Sequence, residues 1–344
     1  MGRYRTGRTA ILAHPPSVIS SACIVGSKEG AGPLRGSFDE IESDDLFGEK
    51  TWEKAESELQ RRTALLAIKK AGLKPEDIDC IFAGDLLAQC IGSSFAMRDI
   101  GIPLFGVYGA CSTMAEALAL SAMTVSGGCA DLSAAVTSSH FCTAERQFRQ
   151  PLEYGGQRTP TAQWTVTGSG ALILSSEGHG PYITSVTCGR IIDLGVRDAN
   201  NMGAAMAPAA FDTISAHLSD LNTAPEYYDM IVTGDLGTVG SALLRELFSR
   251  EKCDISSVHA DCGAMIFDGA AQDTHAGGSG CGCSASVLAG YILNGIRAGK
   301  WKRVLFAATG ALMSTVSSQQ GESIPGICCA VSISADRESQ YGAY

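Results

Sequence analysis

A stretch of twelve residues occurs twice in this chain, and the repeat constrains its fold more than any other feature. Residues 75–86 read PEDIDCIFAGDL and residues 225–236 read PEYYDMIVTGDL, so Pro, Glu, Asp, Ile, Gly, Asp and Leu recur at a constant offset of 150. Each copy is a Pro-Glu turn, a short apolar strand and a Gly-Asp exit. A second echo follows. Cys111 opens a helix-like run from Thr113 to Val125, stopped by Gly127-Gly128 and followed by the strand Leu132 to Thr137. Cys283 opens another from Ser286 to Ile296, stopped by Gly299 and followed by the strand Val304 to Thr309. Two halves with one element order predict an α/β protein of two similarly folded subdomains, 1–177 and 178–344, divided near Glu177 to Gly180. Strands alternating with helices that end in Gly predict sheets with parallel strands covered by helices. Within the first half, Thr51 to Ala71 reads as an amphipathic helix with Trp52, Ala55, Leu59, Leu66 and Ile68 on its apolar face and Gly72 as the stop.

Composition excludes several functional classes. With 45% hydrophobic and 18% charged residues the chain can bury a large core, which rules out disorder. A formal charge of −10 opposes broad phosphate neutralisation, so nucleic acid is not expected as a partner. The longest stretch free of charged residues, Thr274 to Ile296, opens with four glycines and leaves only about a dozen apolar residues, short of the roughly 20 needed to span a bilayer. The basic start, Met1 to Arg8, lacks an apolar segment and a small-residue cleavage site, so no signal peptide is expected. The 13 cysteines sit in apolar segments and read as free thiols of a reducing compartment. No metal is expected. Cys281-x-Cys283 with His275 nearby is the only candidate cluster, and no paired CxxC motifs accompany it. The Gly277 to Gly282 run lacks the Lys-Ser/Thr ending of a phosphate loop, and no acidic residue follows at dinucleotide spacing.

The duplicated pattern, with Val107-Tyr108-Gly109-Ala110-Cys111 opening a central apolar helix, resembles the thiolase and ketoacyl-synthase fold. Val166 to Ala171, Val258 to Cys262 and Gly280 to Ser286 resemble, in order, three glycine-rich or histidine-bearing segments of the ketoacyl synthases. Longer strings narrow the resemblance across essentially the whole chain. Ser138 to Arg149, Pro160 to Trp164, His275 to Gly282 and Gly321 to Gly326 look like the stage V sporulation protein AD family. The resemblance implies a five-layered α-β-α-β-α arrangement and a homodimer. It also implies a subunit of the SpoVA membrane complex that binds dipicolinic acid, alone or as its calcium chelate. The role implied is uptake of dipicolinate into the forespore and its release at germination. Such a subunit would work on the cytoplasmic, spore-core side, peripheral to the inner membrane beside embedded SpoVA subunits. Calcium would enter only with the ligand, and no other cofactor is expected.

A condensing enzyme needs a thiolate and basic groups that move protons and stabilise an oxyanion. Cys111, at a helix start, is the candidate nucleophile, with a thiol expected to be acidified by the helix dipole. His259 is the candidate base. The second basic partner is missing, because Cys281 or a close neighbour stands where thiolases carry His. The expectation is therefore a binder and not an enzyme; the alternatives are an acyl-thioester enzyme using Cys111 and His259, and a purely structural assembly subunit. A planar dianion asks for cationic forks, N–H donors and a flat wall. The segment 140–164 concentrates His140, Arg146, Arg149, Arg158, Gln163 and Trp164, and helix starts at Cys111 and Cys283 add anion-binding capacity. His259, His275 and Cys281 complete the candidate ligand-binding set.

Overall fold

A computed structural model describes residues 5–148 and 158–337. Ten strands carry the fold. In the first half they are β1 (Ser17–Val25), β2 (Cys80–Gly84), β3 (Leu104–Gly106), β4 (Leu132–Ser139) and β5 (Gly168–Ser175). In the second they are β6 (Tyr182–Thr187), β7 (Met230–Thr233), β8 (His259–Asp261), β9 (Arg303–Ala311) and β10 (Gly326–Ser334). Neighbours run β1-β5-β4-β2-β3 in one half and β6-β10-β9-β7-β8 in the other, so the topology is repeated. In each half the two parallel pairings lie at the outer end (β2 with β3 and β4; β7 with β8 and β9), and the inner pairings are antiparallel. The repeated twelve residues supply β2 and β7.

Strands β1 and β6 join the two strand sets edge to edge through the single pair Tyr182–Ser17. The expected division at residue 177 lies in the loop between β5 and β6, yet the chain start crosses it: the strand Thr9–Ile11 pairs with β6.

Helices fill three layers. On the outside of the first half lie α1 (Trp52–Lys70) and α2 (Ile91–Arg98). Between the sheets lies α3 (Thr113–Ser126), while α4 (Phe141–Phe148) follows β4. On the outside of the second half lie α5 (Met202–Asp220) and α6 (Gly237–Arg250), and α7 (Cys281–Val287) is the second central helix, extended through a π turn to Arg297. The largest apolar cluster joins Met114 and Leu118 of α3, Val287 and Leu288 of α7 and its extension, and residues of both sheets such as Leu172 and Phe306. The five-layered thiolase-like arrangement is therefore present. Small residues make the middle layer possible. All seven residues of α7 are buried Cys, Gly, Ser, Ala or Val, and a Cβ on Gly170 of β5 would strike the Ala285 carbonyl.

One expectation about α1 changes. Thr51 caps it and Gly72 ends it with φ +72°, as the sequence suggests. Its buried face, however, is Ala55, Glu56, Leu59, Gln60, Thr63, Ala64, Ala67 and Ile68, whereas Trp52 and Leu66 are half-buried. Ala55, Leu59 and Ile68 are buried as the sequence suggests, and the face differs in also holding three polar side chains that find buried partners. Gln60 Nε2 donates to Gly84 O, Thr63 Oγ1 to Leu59 O, and Glu56 accepts from two hydroxyls.

Candidate functional site

Cys111 stands between β3 and α3, after a turn in which Ala110 takes φ +52°, a left-handed conformation costly for a residue with a Cβ. Hydroxyls pin that turn: Ser112 Oγ donates to Gly109 O at 2.7 Å and Thr113 Oγ1 to Ala110 O at 2.5 Å. Gly310 of β9 must lack a Cβ, because the Gly109 carbonyl and Cys111 N pack directly on it. The thiol is thereby placed at the mouth of the seam between the two sheets, 6% exposed.

The second half supplies its partners. Ser279 Oγ lies 3.8 Å from Cys111 Sγ and donates to Asp235 Oδ2 at 2.9 Å. Gly280 N also donates to Oδ2, at 3.0 Å, and Thr309 Oγ1 donates to Oδ1 at 3.0 Å. Asp235 is fully buried and faces the thiol through Ser279, which contacts both. Burial first, then the Asp235 charge, holds Cys111 well above the ordinary thiol range. This reverses the expected acidification by the helix dipole. The N–H groups of Ser112 and Thr113 donate back to Gly109 and Ala110, and the nearest charge is a carboxylate. Cys111 is held as a thiol.

A cavity of about 100 Å³ opens beside the thiol. Leu86, Ala144, Phe148, Ala311 and Met313 form its apolar walls, and Gln163, Thr165, Asn200, Ser279 and Glu145 are its polar members. No Lys, Arg or His lines it among the described residues. The amide of Gln163 is held by two carbonyls, those of Asp235 and Gly278, at 2.6 and 2.9 Å.

Of the residues singled out from sequence, Cys111 and Gln163 line this cavity, and Cys281 packs beside Cys111 in one cluster with Leu86 and Ala144. Cys281 Sγ donates to Ser138 O at 2.9 Å, whereas Cys283 Sγ faces Gly234 O at 3.8 Å. Two positions apart on a helix they point in different directions, and among the described residues no three His, Cys, Asp or Glu side chains gather as a metal site. His259 is not at the thiol. It opens the edge strand β8, its Nε2 is 3.1 Å from Thr233 Oγ1, and burial lowers its pKa to about 4. His275 pairs with Asp273 at 3.2 Å on a surface loop.

The cationic cluster expected in 140–164 divides among several places. Arg146 faces solvent and pairs with Glu53 at 2.8 Å. His140 is buried, with Nε2 2.8 Å from Asp45 O and Nδ1 accepting from Cys142 N. Trp164 stacks on Phe141 with ring centroids 4.0 Å apart, and Lys28 and Arg158 lie against its ring at 4.0 and 4.5 Å. His140 and Trp164 line a second pocket, of about 190 Å³, with Lys28 and Glu29. Arg149 lies outside the described residues. The split follows from the chain path. Residues 141–148 form α4, and Trp164–Thr165 pairs with Gly278–Ser279, so neighbours in sequence point to different faces.

Sequence reasoning missed Asp235, although its signal was in view as the Gly-Asp exit of the second repeat. Ser279, Thr309 and Asn200 carried no comparable mark.

Comparison with known proteins adds the family. The profile described as Stage V sporulation protein AD (SpoVAD) matches residues 6–334. Stage V sporulation protein AD of Bacillus subtilis (strain 168) is 44% identical over 323 residues, covering 94% of this chain and 95% of that protein. Solved structures share the fold at lower identity. 3-Oxoacyl-[acyl-carrier-protein] synthase III of Aquifex aeolicus VF5 aligns with a TM-score of 0.57 at 14% identity, covering 93% of this chain and 99% of that one. OleA of Xanthomonas campestris aligns with a TM-score of 0.60 at 15% identity, covering 94% and 99%.

Proposed function

The chain belongs to the Stage V sporulation protein AD family, and from that premise we propose that it is a non-catalytic subunit which binds dipicolinic acid in the Cys111 cavity. The observation that carries this reading is the Cys111 thiol set against the Ser279–Asp235 network, in a cavity that no His, Lys or Arg lines among the described residues. Condensation needs a thiolate and a base that takes and returns protons. Here the neighbouring charge opposes the thiolate, and His259 is engaged on β8. What persists is a small, mostly apolar pocket with a few placed polar groups, the form of a small-molecule site.

The same charge argument bears on the ligand's form. Burying a free dianion against the mostly apolar wall of this cavity would carry the desolvation cost of two charges, whereas a one-to-one calcium chelate is neutral. The chelate is therefore the favoured cargo, with calcium bound only as part of it. Dipicolinate traffic into the forespore, and out at germination, is the role this gives, beside membrane-embedded SpoVA subunits at the inner membrane. Among the described residues no helix is long and apolar enough to cross a membrane, consistent with peripheral attachment. A homodimer is supported by the exposed edge of the first sheet. Among the described residues β3 has no partner strand on its outer side, and Leu104 and Phe105 of β3 and Tyr108 after it are exposed.

Titration calorimetry tests the reading. Dipicolinate with calcium should bind saturably, 1,3-benzenedicarboxylate should not, and Met202→Trp, which fills the cavity wall, should abolish the heat. Absence of heat from folded wild-type protein would overturn ligand binding and leave an assembly subunit.

A further inference from the structure

Two carboxyl groups lie fully buried behind the cavity wall, and the site does not use them. Glu56 of α1 and Asp85 at the end of β2 are both 0% exposed. A continuous chain of polar contacts joins them. Ser138 Oγ donates to Glu56 Oε1 at 3.2 Å, Gln60 Nε2 lies 3.1 Å from both Ser138 Oγ and Ser93 Oγ, and Ser93 Oγ donates to Asp85 Oδ2 at 2.6 Å. The two ends differ in their donors. Asp85 accepts from the backbone N–H groups of Leu87 and Ser93 at 2.8 and 2.7 Å in addition to the Ser93 hydroxyl. Glu56 accepts from hydroxyls alone, Ser138 and Thr143, and Thr143 Oγ1 is also 2.9 Å from His140 O and can donate there instead. Asp85 is therefore built to be the anion and Glu56 to keep the proton.

Helix α4 is tied to both. Thr143 Oγ1 reaches Glu56 Oε2 at 2.5 Å, while Gln147 accepts from Ala88 N and donates to Leu86 O in the loop that Asp85 shapes. Leu86 from that loop and Ala144, Glu145 and Phe148 from α4 line the Cys111 cavity. We propose that the single proton held between Glu56 and Asp85 latches α4 against the Cys111 cavity, and that its loss loosens this wall.

The surroundings offer no relief to a second negative charge. Facing the pair are Glu53 on α1, whose partner is Arg146 of α4, and Cys90 in the loop, Tyr108 before α3 and Cys281 at the start of α7. Neither carboxyl forms a salt bridge with Lys or Arg among the described residues. Burial, then repulsion from Asp85, pushes Glu56 up to about 8. The folded chain keeps a proton that the unfolded chain loses near its ordinary value, so stability is withdrawn as pH rises from about 4.5 toward 8. Undocking α4 is the cheapest way to admit water, because an eight-residue helix has little stability of its own.

Amide hydrogen exchange over Phe141–Phe148 in the full chain tests the latch, with Glu56→Gln at the same pH as reference so that intrinsic exchange cancels. The ratio of wild-type to variant rates should be near one at about pH 6 and rise at least about fivefold by about pH 9. A ratio that stays flat overturns the proposal. Thr143→Val gives an independent reading, since removing the tether should raise exchange in α4 at every pH and erase the pH-dependent excess. Persistence of that excess would likewise overturn it. Neither measurement involves ligand, so failure here leaves the binding reading untouched.

Discussion

Asp85 and Asp235 leave equivalent strands of the two halves at the same Gly-Asp exit, and they serve opposite ends. Asp85 turns back on its own half and binds Leu87 N and Ser93 at the start of α2. Asp235 is held by Ser279, Gly280 and Thr309 of its own half and faces the Cys111 thiol of the other half across the seam. The equivalent capping task in the second half falls to Asp261, which accepts from Leu236 N and Gly237 N at 2.9 Å each. Duplication thus preserved the frame, and moving the cap to another residue freed one carboxylate to face the thiol.

The largest effect should come from deleting these carboxylates. Asp235→Ala orphans three buried donors, at about 1–3 kcal/mol each, so denaturant unfolding should show a loss of roughly 3–9 kcal/mol. Asp85→Ala should cost a similar amount without making the Cys111 thiol more acidic, and a more acidic thiol in that variant would break the comparison.

The two long outer helices differ in the same spirit. The buried face of α1 holds an acid, Glu56, while that of α5 holds a base, His217, bonded to Thr187 Oγ1 at 2.6 Å and Tyr228 OH at 2.5 Å. Burial lowers His217 to about 3, so the folded chain refuses a proton that the unfolded chain accepts near 6.5. Its contribution is present above about 6.5 and is lost as pH falls toward 3, by about 5 kcal/mol. Stability measured against pH should show this acid limb, and His217→Gln should flatten it.

A subtler contrast concerns charge alone. Asp235→Asn keeps the volume and removes the negative charge facing the thiol, so alkylation of Cys111 near neutral pH should accelerate about tenfold for each pKa unit recovered. Asp85→Asn should leave the rate unchanged. The smallest effect is expected at Arg146, whose pair with Glu53 is solvent-exposed. Arg146→Ala should cost less than about 1 kcal/mol and leave ligand binding intact.

The fold was legible because it rests on a repeat, and strand exits, glycine stops and the central Cys111 helix are local signals. The family was legible from strings such as Ser138 to Arg149. The site was legible only in part, because its chemistry is assembled across the seam. Asp235 reaches Cys111 from a position 124 residues away, and no local pattern reports which face an Asp turns to. His259 misled for a related reason: it shares one face of the edge strand β8 with Asp261, two residues on, and both are taken up by Thr233, away from the residues that line the Cys111 cavity. Buried polar residues on α1 were hidden because a helix face that satisfies its polar groups internally carries no apolar stripe.

The central claim is that Cys111 is a held thiol and not an acyl acceptor. Intact-mass measurement after incubation with acetyl-CoA tests it most directly. The account predicts no acetyl increment on wild-type protein, and stoichiometric acetylation that maps to Cys111 and is lost in Cys111→Ala would contradict it.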